Sequence, residues 1–143
     1  MSSFSIHFFS EEISFTLKQK YHIRQWLKQA IALEHRKLNE LNFIFCSDNY
    51  LLKINKQYLN HDTFTDIITF DNSESHPDVT GDIFISIDRV YENAAKFNVT
   101  QKDELHRVII HGTLHLLGYT DKTKSDKLRM TGKEDYYLGL RSF

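Results

Sequence analysis

GDIFISIDRVYENAAKFNVTQKDELHRVIIHGTLHLLG, residues 81–118, reads as one strand followed by two helices. Gly81 to Ile87 alternates, with Ile83, Ile85 and Ile87 on one side, the period-two pattern of a half-buried strand. Asp88 is placed to cap a helix through about Phe97. Thr100-Gln-Lys-Asp103 resembles a capping box with Asp in place of Glu or Gln, and the helix it opens runs to Leu117. Gly118 follows the last apolar residue, where a left-handed cap prefers glycine. Working outward, Ile67–Asp71 is β-branched and aromatic, hence a strand, and residues 71–80 read as a surface loop. Leu41–Phe45 is strand-like, and Asp48 can cap a helix through about Leu59. Phe4–Phe9 suits a short strand, and Thr16 to about Arg36 a helix burying Leu17, Tyr21, Leu27, Ala30 and Ile31. A last helix covers Ser125–Leu140. The expected fold is α+β, a layered α/β arrangement with a small mixed four-stranded sheet packed with about five helices. With one proline and no Gly/Ser-rich linker, residues 1–143 are expected to form one domain.

The bulk composition narrows the function. Eighteen basic and 19 acidic side chains leave a formal charge of −1, so binding to nucleic acid needs a local basic patch. The single cysteine, Cys46, precludes an intrachain disulfide and a thiolate zinc cluster. Neither a signal peptide nor a membrane span is visible, so a cytoplasmic location is expected. Eight histidines are many for 143 residues, and two are placed with purpose. His111 and His115 lie four apart on the apolar helix and leave it on nearly one face, a spacing from which two imidazoles reach one zinc ion. Gly118 lets the chain reverse, and Asp121, three residues on, can return as a third ligand. An open fourth position would hold water, as in catalytic zinc sites. His106, five before His111, points away and reads as a surface or supporting residue. His7, His22, His35, His61 and His76 read as ordinary surface positions.

The order His, +4 His, +7 Gly, +10 Asp has metzincin spacing, zincin-like in that both histidines sit on a helix. Gly112 stands where those peptidases carry their general-base glutamate, which disfavours peptide hydrolysis. A missing side chain beside the site implies a close approach there, by backbone or by substrate.

HGTLHLLGYTD, residues 111–121, resembles the signature of the YbeY family, whose usual form is HGxLHLxGYDH. Ile54–Phe70 is similar to the family's LNxxYRxxDxPTDVLSF segment, and Gly81–Ile85 to its GDIxI strand. Asp121 replaces the family's third histidine, Leu59 replaces an arginine thought to contact phosphate, and Phe64 replaces the proline. The resemblance implies a zinc-dependent endoribonuclease acting on single-stranded RNA in ribosomal RNA processing, including 16S 3′-end maturation, and in ribosome quality control. It implies one Zn2+ per chain on His111, His115 and Asp121, metal-bound water as nucleophile, and ribosomal RNA, with ribosomal subunits, as partners. Weaker candidates are Asp66 and Asp82, which lie in family motifs but also suit strand-end hydrogen bonding, and Arg107, which shares the face of His111 and is the best replacement for the arginine missing at Leu59. Lys20, Arg24 and Lys28 form a further basic stripe, and Lys56, Lys122 and Lys124 lie near the motifs. Phe64, Phe70 and Tyr119 read as core residues rather than base platforms. The alternatives are a zincin-type metallopeptidase and a non-enzymatic, zinc-containing ribosome assembly factor.

Overall fold

A computed structural model describes residues 5–143. Its elements are β1 (Ile6–Glu11), α1 (Lys20–Leu33), β2 (Lys37–Cys46), α2 (Asp48–Leu59), β3 (Ile67–Asp71), β4 (Asp78–Ser86), α3 (Ile87–Phe97), α4 (Gln101–Leu116) and α5 (Lys124–Gly139). The sheet order is β1-β2-β4-β3. β1 and β4 run parallel to β2 on either side of it, and β3 closes the edge antiparallel to β4. The sheet is therefore mixed and four-stranded and carries five helices, as the pattern predicts.

The alternation of β2 and β4 assigns the faces. Leu41, Phe43 and Phe45 of β2, with Ile83 and Ile85 of β4, join the main core with Ile23, Leu27 and Ile31 of α1 and Ile109, Ile110 and Leu114 of α4. A smaller cluster of Cys46, Ile68, Phe70 and Phe84 packs against Leu51 and Ile54 of α2. α4 is buried on most sides, and only His111 and His115 on its C-terminal half remain partly open. Among the described residues, no helix is long and apolar enough to cross a membrane.

Several local expectations are corrected. Of the strand expected at Phe4–Phe9, Phe4 lies outside the described residues and the strand starts at Ile6. α1 begins only at Lys20, because Gln19 is left-handed with φ of 60°. Leu17 is buried as expected, but Tyr21 is exposed. The caps of α2 and α3 are Ser47 and Ser86, whose hydroxyls accept the N–H of Tyr50 and Arg89, rather than Asp48 and Asp88. The two carboxylates instead tie the helices together. Asp88 Oδ2 accepts the Asp48 backbone N–H at 2.8 Å, and Asp48 Oδ2 accepts Arg89 Nη2 at 2.8 Å. With Ser86 as cap, Ile87 belongs to α3 and not to the strand.

Gly112 does admit a close neighbour, but neither backbone nor substrate. A Cβ there would meet Ile67 Cδ1 at 2.7 Å and Ile83 Cγ2 at 2.9 Å. The glycine thus lets α4 lie directly on β3 and β4, which sets the depth at which the helix presents its histidines.

Candidate metal centre

α4 ends in a turn that returns the chain to its own exposed face. The N–H of Gly118 and of Tyr119 bond to the carbonyls of His115 and Leu114, and Gly118 takes φ of 105°, which L side chains rarely adopt. Asp121 is thereby brought back against the two histidines. His111 Nε2 and His115 Nε2 are 3.0 Å apart, and Asp121 Oδ2 lies 3.5 Å from each. The edge of a tetrahedron of ligands around zinc is about 3.3 Å for bonds of about 2.0 Å. The three atoms therefore already stand at the separations a small cation requires.

The hydrogen bonds behind the cluster strengthen this fit. His111 Nδ1 is 2.6 Å from Glu134 Oε2, and a carboxylate can only accept, so the proton is on Nδ1. His115 has a hydrogen bond to the Tyr119 backbone that favours its protonated ring. With Nδ1 donating to Glu134, the neutral His111 ring turns a bare Nε2 lone pair toward His115 Nε2 and the Asp121 carboxylate. Two imidazole nitrogens and one carboxylate oxygen thus converge, a donor set that suits a small divalent cation.

The charges around the site are uneven. Burial acts to lower the His111 pKa, but the Glu134 hydrogen bond and the charges of Glu134, Asp121 and Asp66 outweigh it and raise it. Burial, then the neighbouring His111, holds His115 below its ordinary value. Burial also pushes the Asp66 carboxyl up, against the opposing pull of His111 and Arg89. Asp66 precedes β3, its carbonyl accepts the Ser86 N–H at 2.9 Å, and its charge acts on His111.

The remaining candidates fall elsewhere. Asp82 accepts from Asn42 Nδ2 at 3.0 Å and Asn72 Nδ2 at 3.3 Å, bonds that tie strand to strand and loop. Arg107 does share the face of His111, but its guanidinium bonds Glu134 Oε1 and Asp135 Oδ1, each at 2.7 Å. Arg24 donates to the Ile6 carbonyl at 2.9 Å and lies over the Phe8 ring, and Lys56 pairs with Asp62. Lys122 and Lys124 are exposed beside Asp121. Phe64, expected in the core, is half exposed, with Arg89 over its ring. Phe70 and Tyr119 are partly buried, and Tyr119 donates to Glu34 Oε1 at 2.7 Å. His106 is not at the surface. It is buried beside Trp26 and Phe143, and its Nδ1 accepts from Arg141 at 2.7 Å. Glu134 is the site residue that sequence reasoning missed. It comes from α5, and no spacing relative to the histidine motif points to it.

Comparison with known proteins points to one family. A family model described as endoribonuclease YbeY matches residues 5–140. The endoribonuclease YbeY of Cytophaga hutchinsonii is 53% identical over 143 residues, with both chains covered completely. That of Flavobacterium psychrophilum is 50% identical, covering 92% of this chain and 94% of the relative. A solution structure of a Thermotoga maritima protein superposes with a TM-score of 0.66 at 29% identity, covering 93% of this chain and 86% of the other.

Proposed function

Because the chain belongs to the YbeY endoribonuclease family, we propose that it hydrolyses internal phosphodiester bonds of single-stranded ribosomal RNA with a zinc ion held by His111, His115 and Asp121. The observation that carries this reading is the triangle of two imidazole nitrogens and one carboxylate oxygen at 3.0 to 3.5 Å. When bound, a divalent cation supplies charge that polarises a phosphoryl oxygen and lowers the pKa of a water. His111 and His115 present Nε2 to it, and Asp121 presents Oδ2.

Asp66 is the better placed of the two aspartates for proton transfer. Its charge interacts with His111 and Asp121, and burial raises its pKa, the direction that suits a group accepting a proton from an attacking water. Asp82 is occupied by Asn42 and Asn72. Arg107 is occupied by two carboxylates, so the replacement for the arginine absent at Leu59 falls to Lys122 and Lys124. Lys122 follows Asp121 directly and Lys124 lies three residues beyond it, so both can hold a phosphate near the site. The reaction in vivo would be maturation of ribosomal RNA, including the 16S 3′ end, and ribosome quality control in the cytoplasm, with ribosomal subunits as partners.

Gly112 counts against the peptidase alternative. Its α-carbon faces Ile67 and Ile83 so closely that no glutamate fits there. Three converging ligand atoms rather than four speak against a purely structural zinc. The test is incubation of purified protein with single-stranded RNA and separately with casein, each with and without chelator. The expected result is RNA cleavage that stops with chelator and returns with Zn2+, and intact casein. Chelator-insensitive RNA cleavage, or full activity in His115→Ala, refutes the reading.

A further inference from the structure

We infer that Glu134 is a positioning residue for the metal site, fixing His111 in the tautomer that turns its Nε2 lone pair inward, and that Arg107 in turn fixes Glu134. The inference rests on the ligand reading above and goes beyond it to a residue on a different helix.

Glu134 is a buried carboxylate with 8% of its side chain exposed, a costly placement unless every lone pair is used. Its two oxygens divide the work. Oε2 accepts the His111 Nδ1–H at 2.6 Å, and Oε1 accepts Arg107 Nη1 at 2.7 Å. Arg107 is held from its other side by Asp135 Oδ1, the next residue along α5. Arg107 and His111 lie one turn apart on α4, and Glu134 reaches across from α5 to bond both. The carboxylate therefore cannot rotate away from the imidazole without giving up the guanidinium. A free neutral histidine exchanges its proton between Nδ1 and Nε2, and only one of the two forms leaves Nε2 able to bind a cation. Glu134 removes that choice and makes Nε2 more basic.

The experiment measures zinc affinity by competition with a chromophoric chelator for the parent, Glu134→Ala, Glu134→Gln and Arg107→Met proteins. Tautomers are read from the 15N resonances of histidine-labelled apoprotein. Glu134→Ala is expected to bind zinc about 10- to 100-fold more weakly, the usual range for loss of such an outer partner. Glu134→Gln keeps an acceptor of the same shape without the charge and is expected to fall between the two. Arg107→Met is expected to weaken binding less than Glu134→Ala. The His111 signals of the parent should show Nδ1–H alone, and those of Glu134→Ala a mixture. Zinc affinities within twofold of the parent in both Glu134 variants, or a parent His111 protonated on Nε2, overturn the inference. If Glu134→Ala does not fold, as judged by circular dichroism, Glu134→Gln alone decides, and an affinity within twofold of the parent overturns the inference. A parent that binds no zinc at all overturns the ligand reading itself, a different and separable failure.

Discussion

Replacing Gly112 by alanine sets two opposing effects against each other. In a helix interior alanine is favoured over glycine by about 1 kcal/mol, so propensity alone makes Gly112→Ala stabilising. Packing opposes it. The new methyl would lie 2.7 Å from Ile67 Cδ1 and 2.9 Å from Ile83 Cγ2. Ordinary carbon–carbon contacts are about 3.5–4.0 Å, so each overlap is roughly 1 Å. Ile67 Cδ1 is the end of a partly exposed side chain and can move aside. Ile83 is fully buried, and its Cγ2 sits on the β-carbon, so it moves only with the strand. Overpacking of this kind costs about 1–3 kcal/mol, and two simultaneous contacts put it at the upper end. Subtracting the propensity gain leaves a net loss of about 2 kcal/mol, or a fall of roughly 4–8 °C in melting midpoint at this chain length. Urea titration of metal-free protein measures it. Ile67→Val removes the 2.7 Å contact, so the double variant Ile67→Val/Gly112→Ala should recover part of the loss, a favourable coupling in a double-mutant cycle. A Gly112→Ala protein as stable as the parent would show that α4 does not rest on the sheet through this glycine.

Removing metal from the purified protein should abolish RNA cleavage, and Asp121→Asn should bind zinc more weakly than the parent, measured by metal content after dialysis; an unchanged content refutes a ligand role for Asp121. His106 is held neutral down to about 4 by burial and then by Arg141 and Lys102. The unfolded chain takes up that proton near the ordinary value of about 6.5, so below it the unfolded state binds more protons. Stability is thus full above about 6.5 and falls as pH drops toward 4, by up to about 3 kcal/mol, and His106→Gln should flatten this slope in urea titrations. Equal slopes for the two proteins contradict the assignment. Glu34 accepts hydrogen bonds from Tyr119, Tyr137 and Lys133, so Glu34→Ala strands three donors and should cost about 3 kcal/mol by chemical denaturation. A cost under about 1 kcal/mol would mean that those donors find other partners. The Cys46 thiol, pushed up to about 12 by burial and then by nearby carboxylates, should resist thiol reagents at pH 8 until the protein is unfolded. Rapid labelling of folded protein is the contrary outcome.

What could be read from the sequence follows from how far each interaction reaches along the chain. The alternation through Ile83 and Ile85 marks β4 because strand burial repeats every second residue. The coming together of His111, His115 and Asp121 was legible because a helical turn and one left-handed glycine are local geometry. Caps were less legible, since Ser86 and Asp88 are both good formers and only the crossing of α2 and α3 decides which one caps. The burial of His106 depends on Trp26 and Phe143, distant in sequence on both sides. Phe64 has a core residue's composition but stands in the connection between α2 and β3, which leaves it half exposed. Arg107 was legible as a neighbour of His111, yet its charge is consumed by Glu134 and Asp135, whose positions on α5 no spacing rule anticipates.

The sheet order also bears on the sequence of folding events. β2 pairs Ile6 with Leu41 on one side and Lys37 with Asp78 on the other, so the centre of the sheet closes two long loops before any pairing is gained. His111, His115 and Asp121 lie within one helix and its turn and can gather on the timescale of helix formation. The posture of His111 waits for α5 to dock and bring Glu134 across. Refolding followed with zinc present should therefore show capture of the ion in an early, loose phase and its tightening in a late one, paced by the last helix of the chain.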